Sequence, residues 1–156
     1  MTELLLAPAA LLLAAAVSDL RTREIPDAIP ALMALSGFGW LGVFVGPQAL
    51  GWGVLASVMA FALGALAFRF AQLGGGDVKL IAALMPWLPD DRIGAFALVT
   101  AIAGGVLCMT VAAARFASVA RRDGAAAALG AARSATAPYA VAIAAGGLLA
   151  LPWGRV

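Results

Sequence analysis

The 156-residue chain predicts an all-α polytopic membrane protein of about six transmembrane helices, with a short fourth span. Three observations carry that prediction. The composition is 64% hydrophobic and only 12% charged, with a mean hydropathy of +1.03, whereas a soluble domain carries about a quarter charged residues. So much apolar surface exceeds what one core of this size can hide, so lipid is its natural solvent. The apolar sequence is also broken into runs by charged or Gly/Pro-containing stretches. Finally, the basic residues fall unevenly among those breaks.

The runs cover roughly residues 4–18, 28–46, 50–71, 78–89, 93–114 and 136–153. The first follows Met1-Thr2-Glu3 directly, without the basic stretch of a cleavable signal peptide, and reads as a retained span. In the second, Gly42 and Gly46 have the GxxxG spacing of helix packing. The fourth has 11 residues from Val78 to Leu88, against about 20 needed to cross the hydrocarbon, and Pro86 gives it a kink. Trp40, Trp52, Trp87 and Trp153 stand towards the ends of their runs, as interfacial tryptophans do. Between the fifth and sixth runs, the Ala-rich, basic stretch 115–135 reads either as a segment along an anionic leaflet or as a solvated connector. No internal repeat or second domain is evident, so residues 1–156 read as one domain.

Charge orients these spans. With six crossings and the N-terminus outside, Arg21, Arg23, Arg69, Lys79, Arg115, Arg121, Arg122 and Arg133 face the cytoplasm, leaving Arg92 and Arg155 outside. Eight of ten basic residues inside satisfies the positive-inside rule. Were the fourth run not to cross, Arg115, Arg121, Arg122 and Arg133 would move to the outer face, so six crossings is the better assignment.

Composition also limits the chemistry. The chain has no histidine and one cysteine, Cys108. That removes Ser-His and Cys-His pairs, His-ligated metals, an intrachain disulfide and CxxC sites. Cys108 lies in an apolar, small-residue run and reads as a buried structural residue. A net charge of +2 gives nucleic-acid binding no support. Carboxylates are the main acid/base groups that remain.

Four of the eight acidic residues lie in two polar islands, Ser18-Asp19-Leu20-Arg21-Thr22-Arg23-Glu24-Ile25-Pro26-Asp27 and Gly74-Gly75-Gly76-Asp77-Val78-Lys79. Acids abutting apolar spans are costly and mark functional sites by default. Asp19 reads equally well as a helix-end carboxylate paired with Arg21 or Arg23. Asp27, after Pro26, reads as the N-cap of the second helix, and Glu24 as a solvated loop residue. Asp77 after three glycines would also serve as an N-cap, and Lys79 as an interfacial anchor. The topology nevertheless places Asp19 and Asp77 on one face of the membrane, at span ends 58 residues apart in sequence. Two close carboxylates share a proton and can act as base and acid in attack of water on a peptide bond.

In these islands the sequence resembles the prepilin peptidases, the GxGD-type intramembrane aspartic proteases that process type IV prepilins. The matching elements are Asp19 with its basic stretch ending in Ile25-Pro26-Asp27, and the distal Gly74-Gly75-Gly76-Asp77-Val78-Lys79. The resemblance spans essentially the whole chain. It implies that Asp19 and Asp77 are catalytic, and that Gly74, Gly76, Lys79, Pro26 and Asp27 support the loop or bind substrate. It further implies cleavage between a short basic leader and an apolar pilin helix, near the cytoplasmic face of the bacterial inner membrane. The partners implied are a prepilin substrate, membrane lipid and pilus assembly machinery, with no nucleic acid, metal or cofactor. Without the cysteines of the large bifunctional members, the chain looks like the small peptidase-only type of Flp/tight-adherence pili. Glu24 departs from the basic residue that small members often carry there, which bears on leader preference. Two other readings are a non-catalytic membrane subunit of a pilus or secretion assembly, with its acids pairing helices, and a GxGD protease of other membrane substrates.

Overall fold

The computed structural model describes residues 2–70 and 73–153; Arg155, assigned above to the outer face, lies outside them. Among these residues the regular structure is entirely helical. The main elements are α1 (Leu6–Thr22), α2 (Ala28–Trp40), α3 (Pro47–Arg69), α4 (Gly75–Leu84), α5 (Asp90–Asp123), α6 (Ala125–Arg133) and α7 (Tyr139–Ala150). The stretches Glu3–Thr22, Ala28–Val45, Pro47–Arg69 and Asp90–Asp123 are long and apolar enough to cross a membrane. The protein is an all-α polytopic membrane protein.

The short helices lie inside. α4 and α7 have ten and twelve residues and bury most of their side chains, whereas α2 and α3 bury three and one. Leu12 of α1, Met33 of α2, Leu80 and Leu84 of α4, and Ile143 of α7 are fully buried and form the centre of the core. Leu35, Val43, Phe44, Leu63 and Met109 instead point outward, as lipid-facing side chains must. A helix surrounded by others can be apolar all round and short, because its neighbours rather than the bilayer satisfy its ends.

The fourth segment does traverse the bundle. It begins where Lys79 meets Asp27 at the start of α2. It ends at Leu88, Pro89 and Asp90, which share a cavity of about 430 Å³ with Leu41, Val45 and Gln48, where α2 passes into α3. Pro86 lies in the 3₁₀ turn Met85–Trp87 that continues α4.

Several sequence expectations change. Gly42 and Gly46 do not form a packing face: Leu41–Val45 is a π turn, closed by the Gly46 N–H donating to the Leu41 carbonyl at 2.8 Å. Gly46 has a φ of +123°, a backbone that only glycine adopts freely, and Pro47 then starts α3. Trp87 is buried rather than interfacial, its indole N–H donating to the Met33 carbonyl at 3.0 Å. Cys108 is exposed on α5, not buried. The stretch 115–135 is largely helical, divided between the end of α5 and α6. The 34 residues of α5 span about 51 Å at 1.5 Å per residue, some 20 Å more than the hydrocarbon thickness. Its last turns carry Arg115, Arg121 and Arg122, and α6 packs back against it.

Candidate active site

Asp19 belongs to the last turn of α1. That helix stops because Arg23 takes a left-handed conformation (φ 59°), its N–H donating to the Asp19 carbonyl at 3.1 Å, and Pro26 follows. Ser18 Oγ donates to the Glu24 carbonyl at 2.8 Å and Thr22 Oγ1 to the Ser18 carbonyl at 3.0 Å, folding the polar island back on the helix end. The Asp19 side chain pairs with neither Arg21 nor Arg23. It accepts the Ala140 backbone N–H at Oδ2, at 3.0 Å, in the first turn of α7. Arg23 instead donates from Nη1 to the Thr136 carbonyl at 2.9 Å, fastening the segment that leads into α7.

Asp77 lies in the first turn of α4. The Gly74–Gly76 run is only partly a loop: Gly74 is extended, and Gly75 begins the helix. The Gly74 N–H donates to Asp77 Oδ2 at 3.2 Å, so the expected capping role is filled from the third helical position. Two of the three glycines lie tight against a neighbouring side chain. A Cβ at Gly74 would lie 2.9 Å from Asp77 Oδ2, and one at Gly76 would lie 3.2 Å from Ile25 Cβ, whereas a Cβ at Gly75 would make only ordinary contact, 3.9 Å from Phe68. The α4 start and the Asp19 island thus meet backbone to side chain, at a distance that another residue at Gly76 would widen.

This approach brings the two aspartates together. Asp19 and Asp77 are 8% and 9% exposed, lie within electrostatic reach of one another, and line one open cleft of about 410 Å³ with Arg23, Glu24, Ile25, Asp27 and Gly74–Gly76. Asp27 stands at the N-cap position of α2 but caps nothing; its Oδ1 takes Lys79 Nζ at 2.6 Å. Lys79 thus ties α4 to the start of α2 while its side chain stays half exposed. Pro26 stays exposed, its carbonyl accepting the Ile29 N–H at 3.0 Å in the turn into α2. Among the described residues no three acidic or cysteine side chains are grouped to hold a metal ion.

The contribution of α7 was not legible in the sequence. Ala140 acts through its backbone N–H, which carries no residue identity. The only local signal is Pro138, the residue that precedes the helix. Ile25 was visible as part of the island, but not as the side chain that Gly76 accommodates.

A polytopic helical bundle with two buried carboxylates on one cleft defines a class, membrane proteins equipped for acid/base chemistry at one end of the bundle. Residues 6–109 match the model of the Type IV leader peptidase family, and the chain belongs to that family of peptidases. The match includes both aspartates and ends before α6 and α7. Neither a curated protein nor a solved structure matches the chain.

Proposed function

We propose that the protein is an aspartic endopeptidase that removes the basic leader of Flp-like type IV prepilins at the cytoplasmic face of the bacterial inner membrane. Asp19 and Asp77 are its catalytic pair. The observation that carries this reading is their meeting: two carboxylates 58 residues apart in sequence, both nearly buried, line one cleft.

The scheme uses one proton shared between the two carboxyls, one acting as base and the other as acid. The ionised member takes a proton from a water molecule as its oxygen adds to the scissile carbonyl, while the protonated member donates to the carbonyl oxygen. The resulting gem-diol collapses as the leaving nitrogen gains a proton, and the pair returns to its starting state. The residues' own contacts favour this use. Ala140 and Gly74 each donate an N–H to one carboxylate, fixing the orientation of both before substrate arrives. No metal or cofactor enters the scheme. Gly74 and Gly76 let Asp77 approach the Asp19 island, while the Lys79–Asp27 ion pair holds the island against α4 and Pro26 shapes the turn into α2.

Co-expression with a Flp-type prepilin tests the reading through the mobility shift on leader removal. Wild type cleaves; Asp19→Asn and Asp77→Asn, inserted at equal levels, do not. Cleavage that survives either substitution sinks the aspartic mechanism. A chain acting only as a non-catalytic assembly subunit leaves processing indifferent to both substitutions.

A further inference from the structure

Beside the carboxylate cleft lies a second depression, which the proposed chemistry does not use. α4 packs against both α2 and α3, while those two helices scarcely touch each other. The space between them is an open groove of about 560 Å³, walled by Ala31, Ala34 and Phe38 of α2 and by Val58 and Phe61 of α3, with Ala82 and Ala83 of α4 also lining it. Asp27 lines both this groove and the cleft, and its partner Lys79 lines the groove. The two depressions are therefore contiguous, joined at the ion pair.

We propose that this groove seats the apolar helix of the substrate next to the scissile bond, delivering its polar flank past Asp27 to Asp19 and Asp77. The proposal rests on the leader-peptidase reading and adds to it where the substrate's membrane segment lies. Three features favour a polypeptide helix as the occupant. The alanines on two walls allow close approach of another backbone, as small residues do where membrane helices pack. A helix about 10–12 Å across occupies roughly 470 Å³ per turn, so the groove takes one turn fully or several turns on one face. The adjoining cleft carries Asp19, Glu24, Asp27 and Asp77 against Arg23 and Lys79, an acidic balance that attracts a basic flank and repels an anionic lipid headgroup.

Disulfide mapping tests this in the full-length protein, with Cys108→Ser removing the native thiol and Asp77→Asn retaining the substrate. Single cysteines replace Ala31, Val58 or, outside the groove, Met109. They are paired with single cysteines along the apolar helix of a basic-leader prepilin. The expected result is cross-linking from Ala31→Cys and Val58→Cys with a three-to-four-residue period along that helix, and none from Met109→Cys. In the active enzyme, Ala31→Trp raises KM about tenfold for the same substrate, and Met109→Trp leaves it unchanged. If the Cys108→Ser enzyme cleaves the prepilin but the groove cysteines cross-link only to its leader, or not at all, lipid fills the groove. The docking proposal then fails while the peptidase reading stands. If that enzyme cleaves no leader-bearing substrate, the reading fails and takes the groove proposal with it.

Discussion

At the scale of single residues, the three consecutive glycines separate steric necessity from mere loop composition. Gly74→Ala places a methyl 2.9 Å from Asp77 Oδ2. The carboxylate is a movable side-chain end, so the backbone absorbs little strain while Asp77 swings away from the Gly74 N–H. Gly76→Ala meets Ile25 at its Cβ, 3.2 Å away, and pushes the Asp19 island off α4. Gly75→Ala encounters ordinary contact and gains helix propensity. The expected outcome is cleavage reduced at least about tenfold by Gly74→Ala and Gly76→Ala at unchanged membrane insertion, with Gly75→Ala close to wild type. A tenfold loss is about 1.4 kcal/mol of transition-state stabilisation. Quantifying processed and unprocessed prepilin for the three variants decides it, and equal losses at all three would remove the steric argument. The sequence displayed Asp19, Asp77 and the glycine run because costly groups in apolar surroundings are conspicuous. It did not display the division among the glycines, which depends on where Ile25 and Asp77 Oδ2 lie in space. Asp27 makes the same point: its position before α2 reads as a cap, yet Lys79, 52 residues away, takes its carboxylate.

Among the elements, α7 presents the sharpest contrast between legibility and importance. Its apolar run was evident, and so was the shortness of α4, because hydropathy and length are local properties. That α7 is also short and central, with its first turn on Asp19, follows from packing between segments 121 residues apart. The first turn of a helix directs unsatisfied N–H groups and positive partial charge outward, so a carboxylate there is both held and oriented. Ala140→Pro removes that one donor at a helical position where proline is better tolerated than in the interior. It should lower kcat about tenfold or more with KM nearly unchanged. Ala140→Gly keeps the N–H and should retain most of the activity despite its lower helix propensity. Kinetics on purified variants, alongside thermal melts, separate the two effects. A loss in Ala140→Gly matching that in Ala140→Pro would mean that α7 matters only as packing. Because α7 lies beyond residues 6–109, the family match alone does not reveal this support.

For the whole molecule, the distribution of arginines bears on which end of the bundle faces the cytoplasm. Lys79 and Arg23 stand at the carboxylate end, bonded to Asp27 and the Thr136 carbonyl. Arg92 stands at the opposite end, beside the Leu149 carbonyl at 3.5 Å. Since the fourth segment runs between these ends and α5 returns, the last turns of α5 with Arg115, Arg121 and Arg122 emerge on the carboxylate side. Among the described residues, Arg92 is left across the membrane from that basic cluster. The positive-inside rule then favours the proposed placement of the carboxylate cleft on the cytoplasmic side, the side on which the proposed leader substrate would be met. Alkaline phosphatase, active only outside the cytoplasm, should be active when fused after Pro89 and inactive when fused after Gly124. A fluorescent protein that folds only inside should show the reverse. Phosphatase activity at both sites would mean that α5 does not separate the two ends. The reversed pattern would place the cleft outside, and a protease there could not meet a leader in the cytoplasm. Orientation therefore tests the proposed substrate without any substrate present, since the proposed cleavage needs the two aspartates and the leader in one compartment.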